Sequence, residues 1–286
     1  MRTTECTSDR TPTLGSVLIP AHNEATVVGR CLRALLDGSA RGALEVVVVC
    51  NGCTDGTAQV VRSCADEVLV VELDQASKPQ ALRAGEGRLT GFPRLYLDAD
   101  VVLPHGSAVE LLMRLSRGPA LAVRPPVRYE AANSSPIVKR YYAARRRLPA
   151  VTGALWGSGV YGLSEEGRRR FGAYPDAIAD ELFVARHFAE HEIEVVDCPP
   201  AVVTVPRKTV DLLRVLRRTY RGNTELKTPG PGSTPVTARD ILDLALTGPR
   251  PAVDALTYSA LAVGGRLMTR VAGSGPWERD ESSRIS

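Results

Sequence analysis

Leu44 to Val49 is dominated by an unbroken β-branched run, Val46-Val47-Val48-Val49. Such a run marks a strand covered on both faces, the environment of a parallel sheet. The neighbouring stretches fit that requirement. Gly15 to Pro20 reads as a short buried strand, and Ala25 to Leu36 carries apolar residues at helical spacing. After the central run come a helix at 57–64, a strand at 68–72, a helix at 77–88 and a strand at 94–97. The order is β-α-β-α-β-α-β within about a hundred residues. Alternation of this kind implies right-handed crossovers and a doubly wound α/β sheet. With 286 residues, the chain has room for one large α/β domain and a modest extension.

Ligands of such sheets bind beyond the carboxyl ends of the strands. Four polar clusters fall there: His22-Asn23-Glu24, Asn51 to Asp55, Asp74 to Lys78, and Asp98-Ala99-Asp100. In an extended chain residues i and i+2 point to one side, so Asp98 and Asp100 share a face. Two carboxylates that close repel unless a cation sits near them. A hard divalent ion suits the pair, because Mg²⁺ usually takes only one or two protein carboxylates beside substrate phosphates. No Gly-x-Gly-x-x-Gly follows the first strand, and no Walker lysine motif is present.

The second half begins with a helix at 108–116 and a strand at 120–124. Residues 136–148 are basic, with Lys139, Arg140, Arg145, Arg146 and Arg147. As a helix they either face an acidic ligand or form a solvated surface. Residues 152–163 are rich in glycine and include Trp156, Gly157, Ser158, Gly159 and Tyr161. Glycines let backbone approach a ligand closely, although a plain turn before a strand reads the same way. Asp180-Glu181 opens a further helix, either as a complement to its dipole or as a general base. Residues 209–227 place Arg214, Arg217, Arg218 and Arg221 on an amphipathic helix that either neutralises a diphosphate or is simply exposed. Residues 228–235 read as a mobile loop, and 238–247 and 252–271 as two C-terminal helices.

Composition narrows the partners. The net charge of +4 does not argue for nucleic acid. Cysteines 6, 31, 50, 53, 64 and 198 are scattered, and the first twelve residues hold no apolar core of a signal sequence, so the expectation is a reducing cytoplasm. Cys50-x-x-Cys53 has no second pair at zinc-finger spacing and reads as a buried strand end.

Several motifs, in order and spacing, resemble family 2 glycosyltransferases of the GT-A fold over roughly residues 14–225. Val17-Leu18-Ile19-Pro20-Ala21-His22-Asn23-Glu24 resembles the family's "VIPAYNE", with His22 in place of Tyr. Asn51-Gly52-Cys53-Thr54-Asp55-Gly56-Thr57 is similar to "DDGSTDGT", with Cys50 and Asn51 in place of two carboxylates. Lys78 to Gly85 resembles "KxxALNxG". Asp98-Ala99-Asp100 is similar to the metal-binding DxD, and Asp180-Glu181 to the "ED" pair, with Glu in place of the usual Asp. The "QxxRW" of processive members is absent.

The resemblance implies a GT-A domain at 14–226, with a nucleotide-sugar half (14–105) and an acceptor half (106–226). A loop and C-terminal helices (227–271) would follow, with disordered tails at 1–13 and 272–286. It implies metal-dependent transfer of one sugar, with inversion, from a nucleotide-diphosphate sugar to an acceptor hydroxyl. Pro20, Ala21, His22, Glu24, Asn51, Asp55, Lys78, Asp98, Ala99 and Asp100 would hold the donor. Asp100, with Asp98, would hold Mn²⁺ or Mg²⁺. Glu181 or Asp180 would be the base. Trp156, Gly157, Ser158, Gly159, Arg218 and Arg221 would meet acceptor or diphosphate. The acceptor is a saccharide, a lipid-linked molecule or a small molecule. The C-terminal helices suggest peripheral contact with the inner face of a membrane, or a homodimer. A polyprenyl-phosphate glycosyl synthase and a non-catalytic nucleotide-sugar-binding protein are the alternative readings.

Overall fold

The structure, a computed structural model, describes residues 13–37, 43–177, 179–226, 230 and 235–271. Residues 1–12 and 272–286, which hold the expected tails, and most of the loop expected at 228–235 lie outside the described residues.

The first half alternates strands and helices as the apolar runs require. It comprises β1 (Gly15–Ala21), α1 (Val28–Leu36), β2 (Leu44–Asn51), α2 (Thr57–Cys64), β3 (Leu69–Leu73), α3 (Lys78–Glu86) and β4 (Arg94–Leu97). The chain continues through β5 (Val101–Val102), α4 (His105–Arg117), β6 (Ala122–Arg124), β7 (Val127–Glu130), α5 (Pro136–Arg145), α6 (Pro149–Thr152) and β8 (Val160–Leu163). It closes with α7 (Glu165–Arg169), α8 (Asp180–Ala185), β9 (Ile193–Val195), β10 (Ala201–Thr204), α9 (Thr209–Glu225), α10 (Ala238–Leu246) and α11 (Pro249–Val271). The last helix begins earlier than expected, because prolines in a first turn lack only an N–H that has no helical partner anyway.

Seven strands form the main sheet, in the order β3-β2-β1-β4-β8-β6-β9. β1 pairs in parallel with β2 and β4, and β2 in parallel with β3. Its alternate residues serve two cores. Val17 and Ile19 join Val46 and Val48 against α1 and α4, through Leu32, Leu35, Leu111 and Leu112. Leu18 joins Val47 and Val49 against α3, through Ala81 and Leu82. Both faces are dry, which is why the sequence there shows no polar alternation.

The doubly wound expectation holds for the four strands it was drawn from; the rest of the sheet is built differently. β8 lies antiparallel between β4 and β6. Its four residues are all buried, so the sheet continues as a mixed one. A second sheet, β5-β10-β7, was not legible in the sequence. Helices α5, α9, α10 and α11 pack into a third core around Tyr141, Leu212, Leu216 and Tyr258. Among the described residues no helix is long and apolar enough to cross a membrane.

The exit of β2 is tight. Gly52 has φ of +56°, and a Cβ there would lie 2.5 Å from the backbone nitrogen of Ala76. Its own N–H donates to Leu73 O at 2.7 Å. Gly52→Ala is therefore expected to cost about 1–3 kcal/mol from strain at this special conformation. Chemical denaturation measures it, and an unchanged midpoint would show that the loop yields freely.

Candidate active site

The carboxyl ends of β1, β2 and β4 open onto one cavity of about 560 Å³, walled on the other side by α5, α8, α9 and α11. Three loops shape the strand end. Asn23, at φ of +53°, accepts from Thr54 N through Oδ1 at 2.6 Å. His22 Nδ1 lies 2.6 Å from Asn51 O. Asp55 accepts from Ala25 N at 3.1 Å and from Thr57 N at 3.0 Å, so it fastens the β1 exit to the start of α2.

Asn51 makes a three-way clasp. Its amide donates to Ala21 O at 2.8 Å and accepts from Ser77 N at 3.0 Å. One side chain thus joins β1, β2 and the start of α3. Of the expected donor residues, Pro20, His22, Glu24, Asn51, Lys78, Asp98, Ala99 and Asp100 line the cavity. Ala21 and Asp55 are absent from its lining; Ala21 is in the core, and Asp55 acts as the fastener just described.

Asp98 and Asp100 both reach the cavity, but the extended geometry expected for them is corrected. They sit on a turn between β4 and β5, closed by Val101 N donating to Asp98 O at 3.1 Å. Gly159, at φ of +67°, packs against Asp98, where a Cβ would lie 3.4 Å from Oδ2. Lys78, the first residue of α3 behind its cap Ser77, bridges to Asp98 at 2.7 Å and to Asp180 at 3.0 Å. Burial works against its charge, yet Asp180, Asp98 and Glu181 outweigh burial and hold its ammonium above the usual lysine range.

Glu181 stands beside this cluster. Its Oε2 accepts from Gly157 N at 2.5 Å, while its buried Oε1 has no hydrogen-bond partner. Burial, then the charge of Asp98, pushes its carboxyl up to about 7. Asp180 spends an oxygen on Lys78. Of the two candidate bases, Glu181 is the one that does not pair with Lys78, and its Oε1 is buried without a hydrogen-bond partner.

Trp156, Gly157 and Arg218 also line the cavity, whereas Ser158, Gly159 and Arg221 do not. Ser158 is buried and donates to Val160 O at 2.6 Å, bracing the loop. The far wall holds residues that were not picked out from sequence as site residues: Tyr129, Arg145, Tyr220, Tyr258 and Arg266. Arg145 belonged to the basic run at 136–148, but only the fold shows that it turns inward while Arg146 and Arg147 stay exposed.

The donors available to a metal are carboxylate oxygens. One oxygen of Asp98 is already bonded to Lys78, and among the described residues no cluster of three or more ligating side chains is present. This set fits a hard cation that completes its shell from ligand phosphates and water.

Residues 16–161, just over half of the chain, match the family model described as Glycosyl transferase family 2. The chain belongs to this family. The fold is GT-A. A 100-residue stretch is 31% identical to Glycosyltransferase AglE of Haloferax volcanii, covering 33% of each chain; the match spans about a third of that curated relative. The mannosyltransferase PcManGT from Pyrobaculum calidifontis, solved with GDP-Man and Mn²⁺, superposes with a TM-score of 0.61. It is 20% identical, over 92% of this chain and 90% of that one. S. aureus TarS 1–349 with UDP-GlcNAc gives 0.53 at 14% identity, over 88% and 91%. Glucosyl-3-phosphoglycerate synthase from Mycobacterium tuberculosis with phosphoglyceric acid gives 0.52 at 20% identity, over 73% and 78%.

The raised Glu181 carboxyl makes a stability prediction for this family member. The folded chain holds this proton more tightly than the unfolded one, whose glutamate titrates near its ordinary 4.5. Stability is therefore lost as pH rises from about 4.5 to about 7, and the whole cost is present above that. Glu181→Gln should raise the melting temperature at pH 8 by several degrees, about 1–3 kcal/mol, and change little at pH 5. Equal shifts at both pH values would show that the ionised carboxylate is not under strain.

Proposed function

We propose that this chain is a metal-dependent, inverting glycosyltransferase, moving one sugar from a nucleotide-diphosphate sugar to an acceptor hydroxyl. The observation that carries the reading is the unpartnered Oε1 of Glu181 in the same cavity as Asp98 and Asp100. A single base on the side away from the leaving group suffices for inversion in one displacement. Glu181 takes the proton of the acceptor hydroxyl, and Gly157 N–H fixes its other oxygen. Lys78 orients Asp98 and Asp180; Asp100 and the outer oxygen of Asp98 would be the ligands for Mn²⁺ or Mg²⁺. Bound there, the cation would act as a Lewis acid and neutralise charge on the leaving diphosphate. His22, Glu24 and Asn51 wall the donor end, but the amide of Asn51 is spent largely on backbone. A UDP, GDP or TDP sugar would therefore be told apart mainly by the shape of the surrounding loops. The GDP-Man and Mn²⁺ bound by the mannosyltransferase of the same fold support a nucleotide sugar and a divalent ion as the pair to test. Leu242, Leu246, Leu256 and Val263 are exposed on α10 and α11, an apolar surface that either a membrane contact or a homodimer would cover.

Thermal shift with UDP, GDP, TDP and CDP, each with and without Mn²⁺, tests the donor half. A metal-dependent shift with one nucleotide is expected, and it should vanish in Asp100→Ala. A nucleotide shift without donor turnover would point to a binding protein. Glu181→Gln should keep nucleotide affinity and lose at least about 10²-fold in turnover. In the wild type, kcat/KM should rise with pH through about 7 as Glu181 ionises. Full activity of Glu181→Gln would remove the base assignment.

A further inference from the structure

The cavity is divided by charge. Glu24, Asp98, Asp100, Asp180 and Glu181 lie toward the strand end. At the other end Arg145 is set among aromatic rings. Its Nε donates to Tyr129 Oη at 3.0 Å, and its guanidinium lies 5.6 Å from the ring centre of Trp156 and 6.0 Å from that of Tyr129. The titratable groups that act on it most strongly are the phenols of Tyr129, Tyr141 and Tyr142. Among the described residues no carboxylate pairs with it.

Two other inward-turned arginines, Arg168 and Arg124, have carboxylate or backbone partners. Arg168 is held by Glu86, and Arg124 donates to Val151 O at 3.1 Å and to Thr152 O. Arg145 has a phenol and ring faces. Next to it the indole Nε1–H of Trp156 is buried and has no acceptor. A guanidinium and an N–H without an acceptor, side by side in a cavity, form an arrangement that costs free energy unless an anion joins it.

We propose that these two donors hold an anionic oxygen group, a phosphate or carboxylate, carried by the acceptor close to the hydroxyl that receives the sugar. The inference rests on the transferase reading above. Closeness to the hydroxyl follows from the chain itself. Trp156 precedes Gly157, whose N–H binds the candidate base Glu181. Gly157, at φ of +83°, has no side chain, and a Cβ there would collide with Arg145 Nη2. The base and the guanidinium thus share one loop. Planar, bidentate recognition of an oxyanion is what arginine does best. The rings of Tyr220 and Tyr258 beyond it suit an apolar or sugar-like remainder.

The test is calorimetric titration of the full chain with glycerol 3-phosphate and citronellyl phosphate, with and without saturating nucleotide and Mn²⁺. Saturable binding of at least one phosphate is expected. Glycerol 3-phosphate alone would identify a soluble acceptor, and citronellyl phosphate alone a lipid phosphate; either supports the site. Arg145→Gln should weaken that binding by about tenfold or more, and Trp156→Phe by severalfold, with nucleotide affinity held within about twofold. Arg145→Lys should restore only part of it. Trp156→Phe keeps the ring and serves if Arg145→Gln does not fold. Two results would overturn the proposal: no binding of either phosphate to the wild type, or an equal loss of nucleotide affinity in Arg145→Gln, which would assign the guanidinium to the donor diphosphate. Phosphate binding without any nucleotide binding would instead sink the transferase reading and leave the anion site standing.

Discussion

The ammonium of Lys78 lies between Asp98 and Asp180, and the strand end of the cavity keeps its shape through that contact. It links the start of α3, the end of β4 and the start of α8, three elements far apart in the chain. Without it the two carboxylates would face each other across a poorly solvated gap. Removing one partner of a buried ionic group costs about 3–5 kcal/mol in general, because the remaining charges are left uncompensated. Burial first, and then the surplus of negative over positive charge in the cluster, pushes the Glu181 carboxyl up to about 7. A surplus of that sign is also what a divalent ion would relieve.

The same logic runs in reverse at the far wall. There the surplus is positive and the neighbours are aromatic, so charge is stabilised by ring faces and a phenol instead of a counter-ion. A cavity with a negative end and a positive end orients a ligand of opposite polarity before any specific hydrogen bond is made. Between the two ends lies Gly157, which touches both chemistries through its backbone.

Much of this was legible in the sequence. The β-α alternation was, because strands dry on both faces leave unbroken apolar runs. Asp98, Asp100 and Lys78 were, because a strand-end position and a chemical type together point to the rim; Glu181 opens a helix, and only the resemblance of Asp180-Glu181 to the family's acidic pair singled it out. The short strands β7, β9 and β10 were not. They span three or four residues, and Pro125-Pro126 and Pro199-Pro200 interrupt the neighbourhood, so no periodicity can build up. Asn51 and Asp55 read as ligand contacts because loop-clasping and ligand-binding use the same polar groups at the same strand ends. Arg145 sat in a run of five basic residues, and nothing local marks which one turns inward; that depends on Tyr129 and Trp156 meeting it from other elements.

The residues that match the family model end at 161, while Tyr220, Tyr258 and Arg266, which close the far wall, come from α9 and α11. The far wall thus draws on both lengths of chain, with Tyr129 and Arg145 from within the match and Tyr220, Tyr258 and Arg266 from beyond it. Helices α9 and α11 pack with α5 in a core apart from those that cover the main sheet. A lineage built this way can reshape part of that wall by revising little more than its last third, while the rim formed by β1, β2 and β4 stays as it is.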